Sequence, residues 1–403
     1  MILFFIIFCI YLLHIQFLIQ NIFFGLDEVS FFGYSIKYQF DVSIAQESLL
    51  YSALCLVAFV VGYKIFYRVR SKSAAPLALS VDLSGCKNEI RWLNFFGIVV
   101  TSYMVIVIVM TGGVYSSMTL IRASSGFILE LRMFYLLLLT HVMLNVPLNQ
   151  FLSDRAFRIT RLTLLAYVVA VVLFQARSNL FEVATVLLIP WLIWNGDKIK
   201  FKYLGFLFFA MFIPNIIVLG RIGLEGDFWT IADQVFSFEY TMLLSKFLGA
   251  AIANPAEMDG LSFVSQLVLL VPSPLRDLFD FAPISYEFFN LLSEEAGVSG
   301  GGFSLFAQLY SDFRWFGPIV LLLFGCLIGR AIGQGRFPGR VSILSSVGPL
   351  LYGGFLMAIR NDFGVLIKYS IQLFIVAFVL HYIVKTRLGK TNKLIPSQVI
   401  KTL

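Results

Sequence analysis

Residues 92–111 read WLNFFGIVVTSYMVIVIVMT, 20 positions without Asp, Glu, Lys or Arg. Wound as an α-helix, this stretch rises about 30 Å, the thickness of a bilayer's hydrocarbon core. Similar apolar runs lie near 2–20, 47–67, 128–148, 162–176, 179–196, 203–219, 315–333, 342–359 and 363–384. Composition agrees. The chain is 59% hydrophobic and 13% charged, with mean hydropathy +0.88. A soluble domain carries about 25% charged residues, so this chain has too little charge to wet the surface of a globule. The sequence predicts an all-α, polytopic membrane helix bundle of about ten transmembrane helices.

The first apolar run is followed by bulky residues in Asn21–Leu26 rather than by a small-residue cleavage site, so it reads as a retained helix. Of the four cysteines, Cys9, Cys55 and Cys326 fall in apolar runs and Cys86 in a basic loop. No CxxC occurs, which argues against disulfides and thiolate metal sites.

Lys and Arg set the orientation. Lys64, Arg68, Arg70, Lys72, Lys87 and Arg91 share one loop. Arg155, Arg158 and Arg161 lie in the next loop on that side, then Lys198, Lys200 and Lys202, then Arg330, Arg336 and Arg340, and finally Lys385, Arg387, Lys390, Lys393 and Lys401. Together these are 20 of the 30 basic residues, accompanied by only Asp82, Glu89, Asp154 and Asp197. The positive-inside rule makes that side cytoplasmic and places both termini there. The net charge of +7 therefore belongs to topology and does not call for a nucleic-acid partner.

Residues 220–311 form one long segment on the opposite side, far beyond the usual connection of about 4–6 residues. Its apolar stretches at 242–254 and 262–271 are too short to span comfortably and are expected as interfacial or re-entrant helices. Pro272, Pro274 and Pro283 give a rigid bend. The whole chain, 1–403, reads as a single transmembrane domain that carries this loop.

Charge is expensive near a bilayer, and six arginines lie against the expected bias on the external side. Arg122 follows the third span, and Arg177 sits between the fifth and sixth in Ala176–Arg177–Ser178–Asn179. Arg221 follows the seventh, Arg276 the Pro-rich bend. Arg314 precedes the eighth, and Arg360 occupies the tight turn Arg360–Asn361–Asp362. Arginine grips phosphate oxygens in a bidentate fork and stays charged at any working pH. Set against this, any one of them could snorkel to headgroups or pair with a nearby acid. Among the acids, Asp312 and Glu287 are candidates to take a proton from a sugar hydroxyl, although an acid that merely solvates a loop is commoner. His14, His141 and His381 all fall in apolar runs, so a catalytic histidine in the long loop is excluded. HExxH, Walker A and GxSxG motifs are absent.

Several short motifs occur together. Thr111–Gly112–Gly113 is followed by Arg122. Ala176–Arg177–Ser178–Asn179 lies at a hairpin tip, and Gly220–Arg221 precedes the long loop. Gly300–Gly301–Gly302–Phe303–Ser304–Leu305–Phe306–Ala307–Gln308–Leu309–Tyr310 runs on to Phe316–Gly317–Pro318, and Arg360–Asn361–Asp362 closes the series. Over about residues 92–384 this layout resembles the Wzy-type polymerases of O-antigen and other oligosaccharide repeat units. The resemblance implies a membrane glycosyltransferase, similar to the multi-helix enzymes that use lipid-linked donors (GT-C-like). Such an enzyme works at the periplasmic face of a bacterial inner membrane. It moves the growing glycan from undecaprenyl pyrophosphate to the next lipid-linked repeat unit. No cofactor and no metal would be needed, and a chain-length co-polymerase and a flippase would be its neighbours. On this reading Arg177 and Arg360 hold the departing pyrophosphate, and Asp312 or Glu287 activates the acceptor. Arg122, Arg221, Arg276, Arg314, Gly301 and Tyr310 bind substrate.

Two other classes share features with this layout. O-antigen ligases have the topology and the large loop but are expected to carry a histidine in it, which this chain lacks. A transporter or flippase of lipid-linked sugars would bury charge near the midplane and often show internal repeats, of which none is visible.

Overall fold

The computed structural model describes residues 2–25, 28–31, 34–37, 40–68, 86–111, 126–173, 177–194, 239–253, 304–334, 342–359 and 363–391. Helices α1 (Ile2–Phe24), α2 (Val42–Arg68), α3 (Lys87–Thr111) and α4 (Gly126–Asn145) come first. Short α5 (Leu148–Ser153) then leads to α6 (Arg158–Leu173), α7 (Arg177–Trp194) and α8 (Glu239–Ala253). The chain continues as α9 (Leu305–Phe313), α10 (Gly317–Gln334), α11 (Val347–Ala358) and α12 (Phe363–Thr391). Helices stand where the apolar runs predict them. The expected run at 203–219 lies outside the described residues.

Among the described residues, four stretches are long and apolar enough to cross a membrane: Val42–Ile65, Lys87–Val107, Leu305–Gly333 and Leu366–Ile383. The third is interrupted at Arg314, whose φ of 50° separates α9 from α10. Leu131–Asn145, Glu182–Trp194 and Val347–Leu356 are apolar but shorter. The helices turn apolar faces outward. On α2, Leu50, Leu54, Val57, Val61 and Ile65 recur at helical spacing and are 42–58% exposed. Leu162, Leu165 and Val169 do the same on α6, and Ile319, Leu323 and Leu327 on α10. Exposed apolar stripes of this extent would be unstable in water and suit lipid.

Lipid supplies no hydrophobic drive for helix–helix contact, so close backbone approach takes its place. The tightest pair is α2 with α10. A Cβ on Gly62 would overlap the Leu322 carbonyl, and one on Gly325 or Gly329 would overlap the carbonyls of Phe59 or Tyr63. Phe59 then stacks on Phe355 at 3.9 Å and ties α2 to α11. Helix α4 is the hub. Its Tyr135, Leu136, Leu137, Leu138, Leu139 and Thr140 are at most 1% exposed, and it packs against α3, α7, α11 and α12. Trp194 Nε1 donates to the Met143 carbonyl at 2.9 Å, joining α7 to this hub. His141 meets Ser346 at 3.1 Å and Asn145 at 3.3 Å, so it is a buried, satisfied side chain.

A two-stranded antiparallel hairpin, not expected from the apolar pattern, follows α1. Glu28–Phe31 pairs with Tyr34–Lys37, with Glu28 opposite Lys37 and Phe31 opposite Tyr34. Helix α8 belongs to the long 220–311 segment. Its Ser245, Lys246, Phe247, Leu248, Ala250, Ala251 and Ile252 are all buried, and it packs against α1, α2 and α9. A helix lying on a membrane surface keeps one face in water, whereas α8 is enclosed along this stretch.

Candidate functional site

Among the described residues, polar side chains gather in two groups.

The first group is built by α2, α9 and the turn that follows α9. Ser304 caps α9, its hydroxyl accepting from the Ala307 backbone N–H at 3.4 Å, which satisfies one of the helix's first free donors. One turn separates Glu47 from Tyr51 on α2, and another separates Tyr310 from Arg314. The Tyr310 hydroxyl donates to Glu47 Oε1 at 3.0 Å. The Arg314 guanidinium lies 5.8 Å from the Tyr310 ring centre. Tyr51 meets the edges of Tyr310 at 5.0 Å and Trp315 at 5.7 Å. Tyr51 and Tyr310 are 0% and 6% exposed and brace the cluster, whereas Trp315, at 46%, is the ring with surface available beside the carboxylate and the guanidinium. Gly317 makes the arrangement possible, because a Cβ there would overlap the Tyr51 hydroxyl. Asp312 is 8% exposed and lies beside Tyr51. Arg314 is the strained element, since a non-glycine residue at φ 50° and ψ −134° costs about 1–3 kcal/mol.

The second group was not singled out from sequence. Arg132 on α4 and Glu182 on α7 form an ion pair at 3.3 Å, with side chains 13% and 1% exposed. Tyr167 of α6 stands beside Arg132, and Tyr369 of α12 beside Glu182. Arg177 opens α7, so Glu182 lies about 7.5 Å along the helix beneath it. Charged residues inside the apolar runs 128–148 and 179–196 were the available signal. Arg161 has a structural role: its Nη1 donates to the carbonyls of Phe151, Leu152 and Asp154, closing α5.

Of the predicted site residues, Tyr310, Asp312 and Arg314 are therefore brought together. Arg177 is the first residue of α7. Arg122, Arg221, Arg276, Arg360, Glu287 and Gly301 lie outside the described residues.

No protein-family model, no curated protein and no solved structure matches this chain.

Proposed function

We propose that the chain is a membrane glycosyltransferase that polymerises lipid-linked oligosaccharide repeat units. It acts at the periplasmic face of a bacterial inner membrane, as one multi-helix bundle of about ten spans with both termini cytoplasmic. The growing glycan leaves undecaprenyl pyrophosphate and joins the non-reducing end of the next lipid-linked unit. Arg177 and Arg360 stabilise the pyrophosphate as negative charge develops on it, often the largest catalytic contribution. Arg122, Arg221 and Arg276 steer the lipid-linked substrates, and Tyr310 and Arg314 hold the acceptor sugar. A carboxylate, Asp312 or Glu287, takes the acceptor proton.

The observation that carries this reading is the Glu47–Tyr310–Arg314 cluster with its aromatic neighbours Tyr51 and Trp315. Arg314, one of the six unexpected arginines, belongs to this cluster. A transporter of lipid-linked sugars is the second reading, because Arg132–Glu182 is a buried intramembrane pair. Its depth weighs against that class. About 7.5 Å below the start of α7 is half the distance of about 15 Å to a midplane.

Deleting the gene and comparing surface glycans on a gel separates these readings. Collapse of a ladder to core bearing one repeat unit supports polymerisation. Bare core with accumulated lipid-linked polymer indicates a ligase, and lipid-linked single units trapped inside indicate a flippase.

A further inference from the structure

Helices α3 and α6 run parallel and in contact. The Thr160 hydroxyl donates to Asn94 Oδ1 at 2.7 Å, and further along the Thr101 hydroxyl donates to the Thr163 carbonyl at 3.4 Å. Arg91, just before Asn94, therefore stands level with Arg158, just before Thr160. Arg155 opens the short turn that leads into α6. All three arginines are exposed. Among the described residues none of them has an ion pair or a side-chain hydrogen bond. The acids beside them in sequence do not answer them: Asp154 Oδ1 accepts from the Ala156 N–H, and Glu89 is buried. Exposed apolar side chains continue each basic end at helical spacing. Phe95 and Ile98 follow Arg91 at 52% and 49% exposure, and Ile159 and Leu162 follow Arg158 at 48% and 59%. Both rows lie on one side of the α3–α6 seam, because α4 closes the other. There Tyr135 packs on Gly97 of α3 and meets the edge of Tyr167 of α6 at 5.6 Å. Half-buried Trp92, stacked on Phe96 at 5.8 Å, stands beside Arg91, and tryptophan collects at headgroup depth.

We infer that the α3–α6 surface binds an anionic glycerophospholipid, with Arg91, Arg155 and Arg158 on its phosphate and its acyl chains along the two exposed rows. The guanidinium fork matches phosphate oxygens, and basic surfaces between membrane helices take anionic headgroups. The positive-inside rule asks only for an excess of basic residues in a loop. It does not ask that arginines from two separate segments stand level, unpaired and at the head of lipid-facing rows. Those rows favour a lipid over a soluble phosphate. The site is separate from the proposed reaction and does not depend on it.

The test uses the full chain in detergent micelles, with dioleoylphosphatidylglycerol, dioleoylphosphatidylcholine and inorganic phosphate as probes. Bound lipid is read by native mass spectrometry, and stability by thermal unfolding. The wild type is expected to retain phosphatidylglycerol in preference to phosphatidylcholine and to melt higher in its presence. Arg158→Gln is expected to weaken phosphatidylglycerol binding about 5-fold, the worth of one basic residue beside an anionic lipid. Replacing all three arginines by Gln is expected to weaken it about 100-fold. Arg158→Lys keeps the charge and most of the binding. Arg330→Gln, which removes an exposed arginine on α10, leaves binding unchanged. The inference is overturned if the two lipids bind alike, or if Arg330→Gln costs as much as Arg158→Gln, which would make the attraction one of diffuse charge. Equal stabilisation by inorganic phosphate would also overturn it, since the acyl chains would then play no part. Should the triple variant fail to fold, the single substitutions decide by the same criteria.

Discussion

Arg132 and Glu182 meet at 3.3 Å from helices separated by 50 positions of sequence. Both side chains are withdrawn from solvent, so each is the other's compensation for burial. Removing one partner strands the other, at a cost of about 3–5 kcal/mol. Arg132→Met and Glu182→Leu are each expected to lower the melting temperature sharply. The double substitution, with apolar groups at both positions, is expected to recover most of that loss. Thermal unfolding in detergent checks this, and additive losses would mean that the pair is not coupled.

Gly317 and Tyr51 make a second coupled pair. Gly317→Ala puts a methyl group where the Tyr51 hydroxyl stands. Overpacking of this kind costs about 1–3 kcal/mol. Tyr51→Phe vacates that space, so Gly317→Ala combined with Tyr51→Phe is expected to melt above Gly317→Ala alone. An equal or lower melting temperature for the double variant would contradict the packing described here.

Arg314 is held at φ 50°, a conformation glycine adopts without penalty. Arg314→Gly is expected to gain about 1 kcal/mol of stability from relieved strain. It is also expected to lose polymer-forming activity, because the guanidinium beside Tyr310 is gone. Unfolding and glycan gels on one preparation give both answers. Activity at the wild-type level would show that the strain serves only the chain path.

The Tyr310 hydroxyl bonds a half-buried carboxylate. Tyr310→Phe is expected to cost about 1 kcal/mol, the typical net worth of one such bond, and to shorten the polymer rather than abolish it. Arg360→Ala, by contrast, is expected to abolish the ladder while protein abundance is kept. A normal ladder in Arg360→Ala would remove that residue from the proposed site.

What the sequence revealed follows from the range of each interaction. Apolar runs such as 47–67 and 92–111 encode helices locally, and α2 and α3 stand there. The Glu28–Lys37 hairpin is too short to register beside such runs, and its alternation spans only four residues a strand. Tyr310, Asp312 and Arg314 were legible because they cluster in sequence near a glycine-rich stretch. Their partner Glu47 was not, since only tertiary packing brings α2 against α9. Arg132 and Glu182 stood in the sequence as charges within apolar runs but were not singled out, since their pairing depends on helix neighbours that no local pattern specifies.

The most direct test is reconstitution. The purified chain in liposomes is supplied only with synthetic lipid-linked repeat units, and products are resolved by mass. The account predicts lipid-linked glycans of two or more units together with released lipid pyrophosphate. Intact single units after prolonged incubation with folded protein, or their movement across the bilayer without any new glycosidic bond, would contradict it.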